Sequence, residues 1–463
     1  MLTTIIIVVA IYFLAMVAIG WYGRRFSNNF NDYLSMGRSG GVLLLAGSCI
    51  GGQIGNGFVV GGAGMGATVG LAGSAYGIAC AITALVAGVF LSDFIYKNHY
   101  ASLVDYTRER YHSEIPGLIY DISTACASVG LVAGQLMAGY ALFEALGLSG
   151  TLGVFLIAVV VFLYSQLAGI WGAYATSVVQ TGIITGGLLL TVVVLLSKGG
   201  IDIIRSAQAA GTASPNALDF GGMSSSAFIA MMLPIVLGMT TDQNVFLRVN
   251  SAKSAAVSKI AHIVSFLVMI PLAIMPAFIG AYGNAVFGIS GDSAFFTVIM
   301  GELPAIICAI IIAAVLAAVM STIDCGFITM SSVITRDIIQ GTLHKEYSEK
   351  QLKNITLFIN VAFMAGSVTL ALSASGILNL LNAFYSFLAA ACFVPFVGGI
   401  LWKPGSGKGA VAASVAGILT VVLGWLGVSM PSLGGFFPCI PSAIAFVVVS
   451  LAAPDHKSVQ TDR

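Results

Sequence analysis

Charged side chains are scarce in this sequence of 463 residues. Asp, Glu, Lys and Arg together make up 8% of it, whereas a soluble globular chain carries about 25%. Hydrophobic residues make up 58%, which is more than a soluble protein of this length can shield from water. A formal net charge of +1 offers no basic surface for nucleic acid. The composition therefore predicts an integral membrane protein with lipid and a small molecule as its partners.

The sequence also has no paired metal-binding or disulfide-forming motif. Its seven cysteines are scattered singly and none forms a CxxC pair, so neither a zinc site nor a disulfide framework is indicated. No nucleophile lies beside a base, and the sequence does not predict an enzyme. A membrane-embedded sensor is a rival hypothesis, but such a protein normally needs a soluble signalling domain. No polar stretch is long enough for one, and few residues follow Pro454.

Long apolar runs dominate what is present. A helix that crosses the hydrocarbon core needs about 20 such residues. The sequence predicts an all-α polytopic protein with about thirteen transmembrane helices, forming one integral domain over residues 1–463. The predicted spans lie near 3–21, 41–66, 70–96, 116–146, 150–170, 174–197, 225–247, 254–283, 304–334, 354–374, 376–402, 409–427 and 435–453.

The distribution of basic residues predicts the orientation of these spans. With the N-terminus outside and the C-terminus in the cytoplasm, only Lys198 and Arg205 of the 19 Lys and Arg residues fall in outward-facing segments. This asymmetry is what the positive-inside rule expects of a plasma-membrane protein. Asp93 and Asp121 lie near cytoplasmic helix ends, where a solvated or paired role is expected, and no Arg or Lys is expected at the membrane midplane.

Two of the predicted spans contain residues that disfavour a continuous helix. The second span contains GGQIGNG at 51–57, where Gln53 and Asn56 stand among four glycines. The seventh contains Pro234 and Gly238, followed by TTDQ at 240–243. Glycine packing or a simple proline kink would also explain these features. Because the two spans are five helices apart, their spacing favours an inverted repeat around a midplane binding site.

The ninth span carries a polar cluster on an apolar helix. Ser321 and Thr322 lie near its middle, with Ala318 one turn earlier on the same face. Two hydroxyls and exposed carbonyls could replace the hydration shell of a cation such as Na⁺, although such hydroxyls often only bond their own backbone. Asp324, one turn further on, is a candidate for cation exit or coupling. A salt bridge or a protonated core acid is the alternative.

At this point the sequence resembles a known family. MSTID at 320–324, SS at 331–332 and RD at 336–337 are similar to the eighth core helix of the sodium:solute symporter family. Three other segments, in chain order, also resemble that family: IGG at 50–52 with GGAG at 61–64, GIWGA at 169–173 through Thr176 to Gln180, and TDQ at 241–243 with Arg248 and AKS at 252–254.

The resemblance implies a LeuT-type fold, in which ten core helices form two inverted five-helix repeats. The core would cover residues 41–402, with a first peripheral helix and loop in 1–40 and two peripheral helices and a short tail in 403–463. The implied sodium ligands are the carbonyls of Gly51, Ile54 and Ala318 and the hydroxyls of Ser321 and Thr322. Some members hold a second sodium with an acid in the fifth core helix. Ser177 stands there in this chain, so a single Na⁺ is expected.

The resemblance further implies Na⁺-coupled symport of a small organic solute into the cell by alternating access. The polar side chains expected to bind the substrate are Gln53, Asn56, Gln135 and Asn382, with Tyr76 and Tyr385 as aromatic gates. An alternative keeps the fold but uses H⁺ or no ion, with Asp324 or His262 as the coupling group. The identity of the solute and the oligomeric state stay open.

Overall fold

The computed structural model describes residues 2–23, 38–345, 347–429 and 434–455, and within these ranges the chain is helical with no named β-strand. Nineteen α-helices are numbered here in chain order. They are α1 Leu2–Gly23, α2 Val42–Gln53, α3 Gly62–Val69, α4 Ala75–Val86, α5 Ser92–Asn98, α6 Leu103–Tyr111, α7 Glu114–Ala145, α8 Gly150–Ser197, α9 Gly200–Ala209, α10 Ser225–Thr240, α11 Gln243–Ser251, α12 Ala255–Phe287, α13 Ala294–Glu302, α14 Ala305–Ser331, α15 Glu349–Ser373, α16 Ile377–Leu388, α17 Val394–Leu401, α18 Gly407–Trp425 and α19 Cys439–Ala452.

Four short π-helical segments join some of these helices. Gly57–Gly61 precedes α3, Ala87–Leu91 joins α4 to α5, Ser332–Thr342 extends α14, and Ala389–Phe393 joins α16 to α17. Such segments often occur at functional positions of long helices.

The predicted spans correspond to helices of the structure. Among the described residues, eight helices are long and apolar enough to cross a membrane, or nine when the bent pair α10 and α11 is one span. Shorter apolar helices cover Thr3–Tyr12, Val42–Gln53, Gly150–Leu163 and Cys439–Ala452. The predicted spans 150–170 and 174–197 form one continuous helix, α8. The all-helical membrane architecture is confirmed, and the number of crossings stays a prediction.

Small residues allow the helices of the core to approach closely. At Gly70 the backbone has φ +65°, a conformation that suits glycine, and α3 ends there. A Cβ atom on Gly280 of α12 would lie 1.8 Å from the carbonyl oxygen of Ala63 in α3. A Cβ atom on Gly66 would lie 2.2 Å from the carbonyl oxygen of Ala277. The α3–α12 contact therefore requires glycine on both helices.

The predicted break in the second span is confirmed. Helix α2 ends at Gln53, and Ile54 has φ −78° and ψ 58°, outside the helical range. Helical structure resumes at Asn56 and continues through the π-helical segment into α3. The chain between Gln53 and Asn56 therefore presents backbone groups that a continuous helix would use internally.

The second predicted break is also present, but it lies later than Pro234, which is inside α10. Helix α10 ends at Thr240 and α11 begins at Gln243, with a bend of 52° between them. Asp242 caps α11, because its carboxylate accepts a hydrogen bond from the Asn244 amide at 2.8 Å.

The two broken helices are connected to each other at one end. The Gly40 amide, just before α2, donates to the carbonyl of Ser251 at 2.8 Å, and the Lys253 amide donates back to Gly40 at 3.0 Å. The Arg38 guanidinium also donates to Asn250 Oδ1 at 3.2 Å. The start of α2 and the end of α11 are thereby fixed together.

Candidate substrate and sodium site

The two helix breaks face a common cavity of about 60 Å³ at the centre of the molecule. This volume has room for a few water molecules. Its wall includes the first break, the second break and the middle of α14, through Gly52, Gln53, Asp242 and Thr322. The cavity thus lies between the two discontinuous helices and the ninth predicted span.

Two hydrogen bonds to α7 stabilise the first break. In a continuous helix the Asn56 amide would donate to the carbonyl of Gly52. Here it donates to Gln135 Oε1 at 2.9 Å. The Asn56 side chain donates to the carbonyl of Gly134 at 2.6 Å. Asn56 and Gln135 therefore shape the backbone of the site, in addition to the substrate contact expected of them.

Among the residues that the structure describes, two amide oxygens at the break lack a hydrogen-bond donor, and of their residues Gln53 lines the cavity whereas Asn56 does not. Gln53 donates through Nε2 to Cys49 Sγ at 3.7 Å. Within the described part of the chain, Gln53 Oε1 and Asn56 Oδ1 are buried and have no hydrogen-bond partner. A buried acceptor without a donor is costly, and a bound cation or an N–H group of a solute would satisfy it.

The remaining predicted substrate residues divide between two cavities. Tyr76 and Tyr385 line the central cavity together with Gln53 and Gln135, and the two phenol groups lie close enough to interact. Asn382 instead lines a second, larger cavity of about 650 Å³ beside α10 and α18. Ser386 also faces this second cavity, whereas Tyr385 faces the central one. Helix α16 therefore forms part of the wall of both cavities.

The two hydroxyls of the predicted sodium site point to one backbone oxygen. Ser321 donates to the carbonyl of Ala318 at 3.1 Å and Thr322 donates to it at 2.9 Å. Each hydroxyl oxygen keeps lone pairs for a cation, because only its proton is used in these bonds. Helices α2 and α14 pack against each other, and Thr322 lines the cavity with Gly52 and Gly55. This donor set of neutral oxygens suits Na⁺.

Two other candidates lie away from the cavity wall. Asp324 is 3% exposed and close enough to Tyr12 of α1 to interact electrostatically. His262 of α12 is buried, and its Nδ1 lies 2.8 Å from the carbonyl oxygen of Ser258. The histidine is a buried, hydrogen-bonded residue of α12. Ser177 belongs to a stretch, 164–177, whose side chains fall outside the described residues.

One charged cavity residue was not found from the sequence. Arg248 of α11 is 5% exposed and lines the central cavity. A Cβ atom on Gly52 would lie 2.0 Å from Arg248 Nη2, so the guanidinium rests on the backbone of the first break. A basic side chain on this cavity wall was not expected from the sequence. Asp242 adds a carboxyl group to the same wall.

A known protein family matches most of the chain. The sequence pattern of the sodium:solute symporter family matches residues 33–417. The chain belongs to the sodium:solute symporter family. It is thus a membrane transporter, not an enzyme, and it couples the transport of a small solute to Na⁺ by alternating access.

Curated relatives of this symporter are similar over nearly its whole length. The sodium/proline symporter of Escherichia coli (strain K12) is 26% identical, over 97% of this chain and 93% of that protein. The osmoregulated proline transporter OpuE of Bacillus subtilis (strain 168) is 26% identical, over 96% and 94%. The high-affinity choline transporter 1 of Torpedo marmorata is 24% identical, over 90% and 76%.

Solved structures confirm the fold of this symporter. A Na⁺-coupled sialic acid symporter in a substrate-bound, outward-open state matches with a TM-score of 0.80 and 20% identity, over 97% of this chain and 98% of that one. MhsT in complex with L-phenylalanine matches with a TM-score of 0.55 and 13% identity, over 89% and 98%. The LeuT-type architecture expected from the motifs is confirmed.

Proposed function

We propose that this symporter carries a small zwitterionic amino acid, such as proline, together with one sodium ion. The observation that carries the proposal is the pairing of opposite charges on the cavity wall. Arg248 lies on the first helix break, and Asp242 lies at the second. A guanidinium group recognises a carboxylate in a defined geometry, and a carboxylate attracts an ammonium or secondary amine.

Similarity to known transporters also supports an amino acid as the substrate. The central cavity of about 60 Å³ has room for a few water molecules only, so it must widen to admit a solute. Two relatives similar over nearly the whole chain are named as proline transporters. A quaternary amine is the second candidate. Tyr76 and Tyr385 present aromatic rings beside Asp242, and aromatic rings bind such cations.

We infer that the sodium ion is held where α2 and α14 meet. Its ligands would be the carbonyl oxygens of Gly51, Ile54 and Ala318 and the hydroxyl oxygens of Ser321 and Thr322. Support comes from the position of Thr322 on the cavity wall. Both hydroxyls donate to the Ala318 carbonyl, a bond that such hydroxyls commonly make, and each keeps lone pairs for an ion. A single ion is proposed, because Ser177 replaces the acid that serves a second sodium in other members.

Coupling then follows from the shape of the first break. An ion bound between α2 and α14 would favour the conformation in which the two helices are in contact. The same backbone segment carries Gln53 and supports Arg248, so the ion completes the substrate site. Such coupling requires Na⁺ to bind one conformation better than the other.

The proposed topology has an outside N-terminus and a cytoplasmic C-terminus in the plasma membrane. It rests on the asymmetric distribution of basic residues. With this orientation the larger cavity beside Asn382 is the outer entry route, and α6 lies on the cytoplasmic side. Residues 41–402 form the transport core in this proposal, flanked by the peripheral segments 1–40 and 403–463.

Uptake into proteoliposomes tests the function. Labelled proline, choline, pantothenate and sialic acid are offered with and without an inward Na⁺ gradient. We expect Na⁺-dependent accumulation of proline, and its loss in a Ser321→Ala/Thr322→Ala double variant. A Thr322→Ser variant keeps the hydroxyl and serves as the matched control.

Each other outcome has a defined meaning. Accumulation of choline instead of proline would support the quaternary-amine alternative. Uptake that is indifferent to Na⁺ and to both hydroxyls would refute the sodium site and favour proton-coupled or facilitated transport. The Na⁺ stoichiometry follows from the ratio of charge to solute transported, and a ratio above one positive charge per zwitterion would refute the single ion.

A further inference from the structure

Two aspartates that the transport site does not use are buried together at one end of the molecule. Asp121 of α7 is 0% exposed, and Asp337 of the π-helical extension of α14 is 2% exposed. They lie close enough for their charges to interact. The sequence led us to expect Asp121 to be solvated or paired, and this expectation was wrong. For Asp93 the expectation is correct, since this residue is half-exposed and its carboxylate forms an ion pair with Lys97 at 3.2 Å.

The carboxylate oxygens of this pair lack the partners that two buried charges would need. Among the described residues, both oxygens of Asp121 and Oδ2 of Asp337 are buried without a hydrogen-bond partner. The remaining oxygen, Asp337 Oδ1, lies 3.8 Å from Arg336 Nε. Two adjacent ionised carboxylates cannot be held in this environment without a compensating charge.

Nearby cations are shared with other acids. Arg108 of α6 lies 2.6 Å from the carboxylate of Glu114, and Arg336 donates to Asp105 at 3.3 Å. Four carboxyl groups therefore face two guanidinium groups in this cluster. The titratable and charged groups around the pair are Glu114 and Tyr120 on α7, Asp105 and Arg108 on α6, Arg336 on the π-helical extension, Cys392 after α16, and Asp242 near Tyr120.

We propose that Asp121 holds a proton while Asp337 is ionised, and that release of this proton loosens the contacts closing this end of the symporter. Protonation of one carboxyl group removes one of the two negative charges from the buried site. Release of the proton would leave two like charges in a dry site. Water can reach them only if α6 separates from the end of α14.

The surrounding contacts show what such a separation would change. Arg108 donates to Thr342 Oγ1 at 3.1 Å and to the Asp337 carbonyl at 3.4 Å, which joins α6 to the extension of α14. Tyr120, next to Asp121, donates to the Thr241 carbonyl at 2.9 Å. Because Thr241 belongs to the second helix break, the protonation state of the pair is linked to the central cavity by one side chain.

This inference goes beyond the proposed function and does not depend on the solute. In the orientation proposed above, the pair faces the cytoplasm. A mildly acidic cytoplasm would then keep the inner end closed, and a more alkaline one would favour its opening. The site binds a proton as a regulator, whereas Na⁺ remains the coupling ion.

Infrared spectroscopy tests the protonation directly. The purified full-length protein is titrated from mildly acidic to alkaline pH in Na⁺-free potassium buffer, which leaves the sodium site empty. We expect a band from a protonated carboxylic acid that decreases as the pH rises and is lost in Asp121→Asn. An Asp337→Asn variant removes the neighbouring charge, so the remaining transition should move to lower pH.

The exposed ion-paired residue gives the matched control. Asp93→Asn should retain the wild-type band. If wild type and Asp121→Asn have identical spectra at all pH values, no proton is held by the pair and the proposal is overturned. If the band in wild type is also lost in Asp93→Asn, its assignment to the pair is wrong.

Labelling of the native residue Cys392 can detect this opening, so no cysteine has to be introduced. It is 3% exposed and packs in the same buried cluster as Tyr120. Its alkylation by N-ethylmaleimide, quantified by peptide mass spectrometry, is compared between wild type and Asp121→Asn at each pH. Each rate is divided by the separately measured thiolate fraction of Cys392 in that protein, because Asp121 lies close enough to affect the ionisation of this thiol. We expect the ratio of the two rates to rise with pH, by up to about tenfold per unit for one proton. A constant ratio would refute the link to opening.

Discussion

The Asp292 carboxylate accepts a hydrogen bond from the Ile377 amide at 3.0 Å, and so joins the loop after α12 to the first residue of α16. A Cβ atom on Gly64 of α3 would lie 2.7 Å from Asp292 Oδ1. One side chain therefore contacts α3, the second half of the first broken helix, and the start of the helix that carries Tyr385. Its ionisation should affect the stability of this region.

Asp292 gives a prediction of pH dependence. Burial raises the pKa of Asp292 above its ordinary value and Glu144 adds to this effect, although the Ile377 hydrogen bond opposes it. A raised pKa in the folded state means that the stabilising contribution is complete below the ordinary carboxyl pKa of about 3.9. It is lost as the pH rises through the folded-state value. The melting temperature of wild type should therefore fall with pH relative to that of Asp292→Asn.

Thermal unfolding in detergent at a series of pH values measures this difference. Asp219→Asn is the control, since Asp219 is exposed in the loop before α10 and accepts a local bond from the Gly221 amide at 2.7 Å. If the melting temperatures of wild type and Asp292→Asn change with pH by the same amount, the prediction is contradicted.

Gln135 should control sodium binding although it is not a proposed sodium ligand. Gln135→Met removes the acceptor of the Asn56 amide and leaves a buried donor unsatisfied, at a cost of about 1–3 kcal/mol. We expect the Na⁺ concentration for half-maximal thermal stabilisation to rise by about tenfold. The same change at Gln180, which bonds Tyr12 in the α1–α8 contact at 3.3 Å, should leave it unchanged. Equal Na⁺ responses in the two variants would refute a role for the Asn56 contact.

Gly52 and Arg248 should act on the substrate as one unit. A methyl group on Gly52 would occupy the position of Arg248 Nη2, so Gly52→Ala and Arg248→Gln should each weaken substrate binding. Their effects should not add in the double variant, because both act on the same guanidinium. Gly62→Ala is the control, since its new methyl group would make only an ordinary contact, 3.4 Å from Pro276. Equilibrium binding of the transported solute is measured for wild type and these four variants. Additive losses of binding free energy in the double variant would contradict the shared role.

Gly280 should be required for assembly of the core. A methyl group there would meet the carbonyl oxygen of Ala63 at 1.8 Å, and backbone cannot move aside as a side chain can. We expect Gly280→Ala to destabilise the protein by about 1–3 kcal/mol, with a lower melting temperature and a lower yield. Gly182→Ala is the matched control, as nothing lies within 4 Å of its new methyl group. A wild-type melting temperature for Gly280→Ala would show that α3 and α12 can separate without cost.

Several features of the site could be predicted because they depend on local chain chemistry. Four glycines and two amides within 51–57 cannot form a stable helix interior, and the structure breaks there. The same holds for the second break, although Pro234 was a misleading marker. The proline is accommodated inside α10, and the chain instead bends where Asp242 caps a new helix.

The class of the protein, the approximate helices and the helix breaks follow from the sequence, because hydrophobic length and helix-breaking residues act within one segment. Which charges are buried depends on how the helices pack. Arg248 reaches Gly52 because α11 bends by 52° from α10 and is fixed to the start of α2. Asp121 is buried because α6 and the extension of α14 cover it. Each outcome requires at least one contact between residues more than a hundred positions apart, Arg248 with Gly52 and Arg108 with Thr342, and no local pattern encodes these contacts.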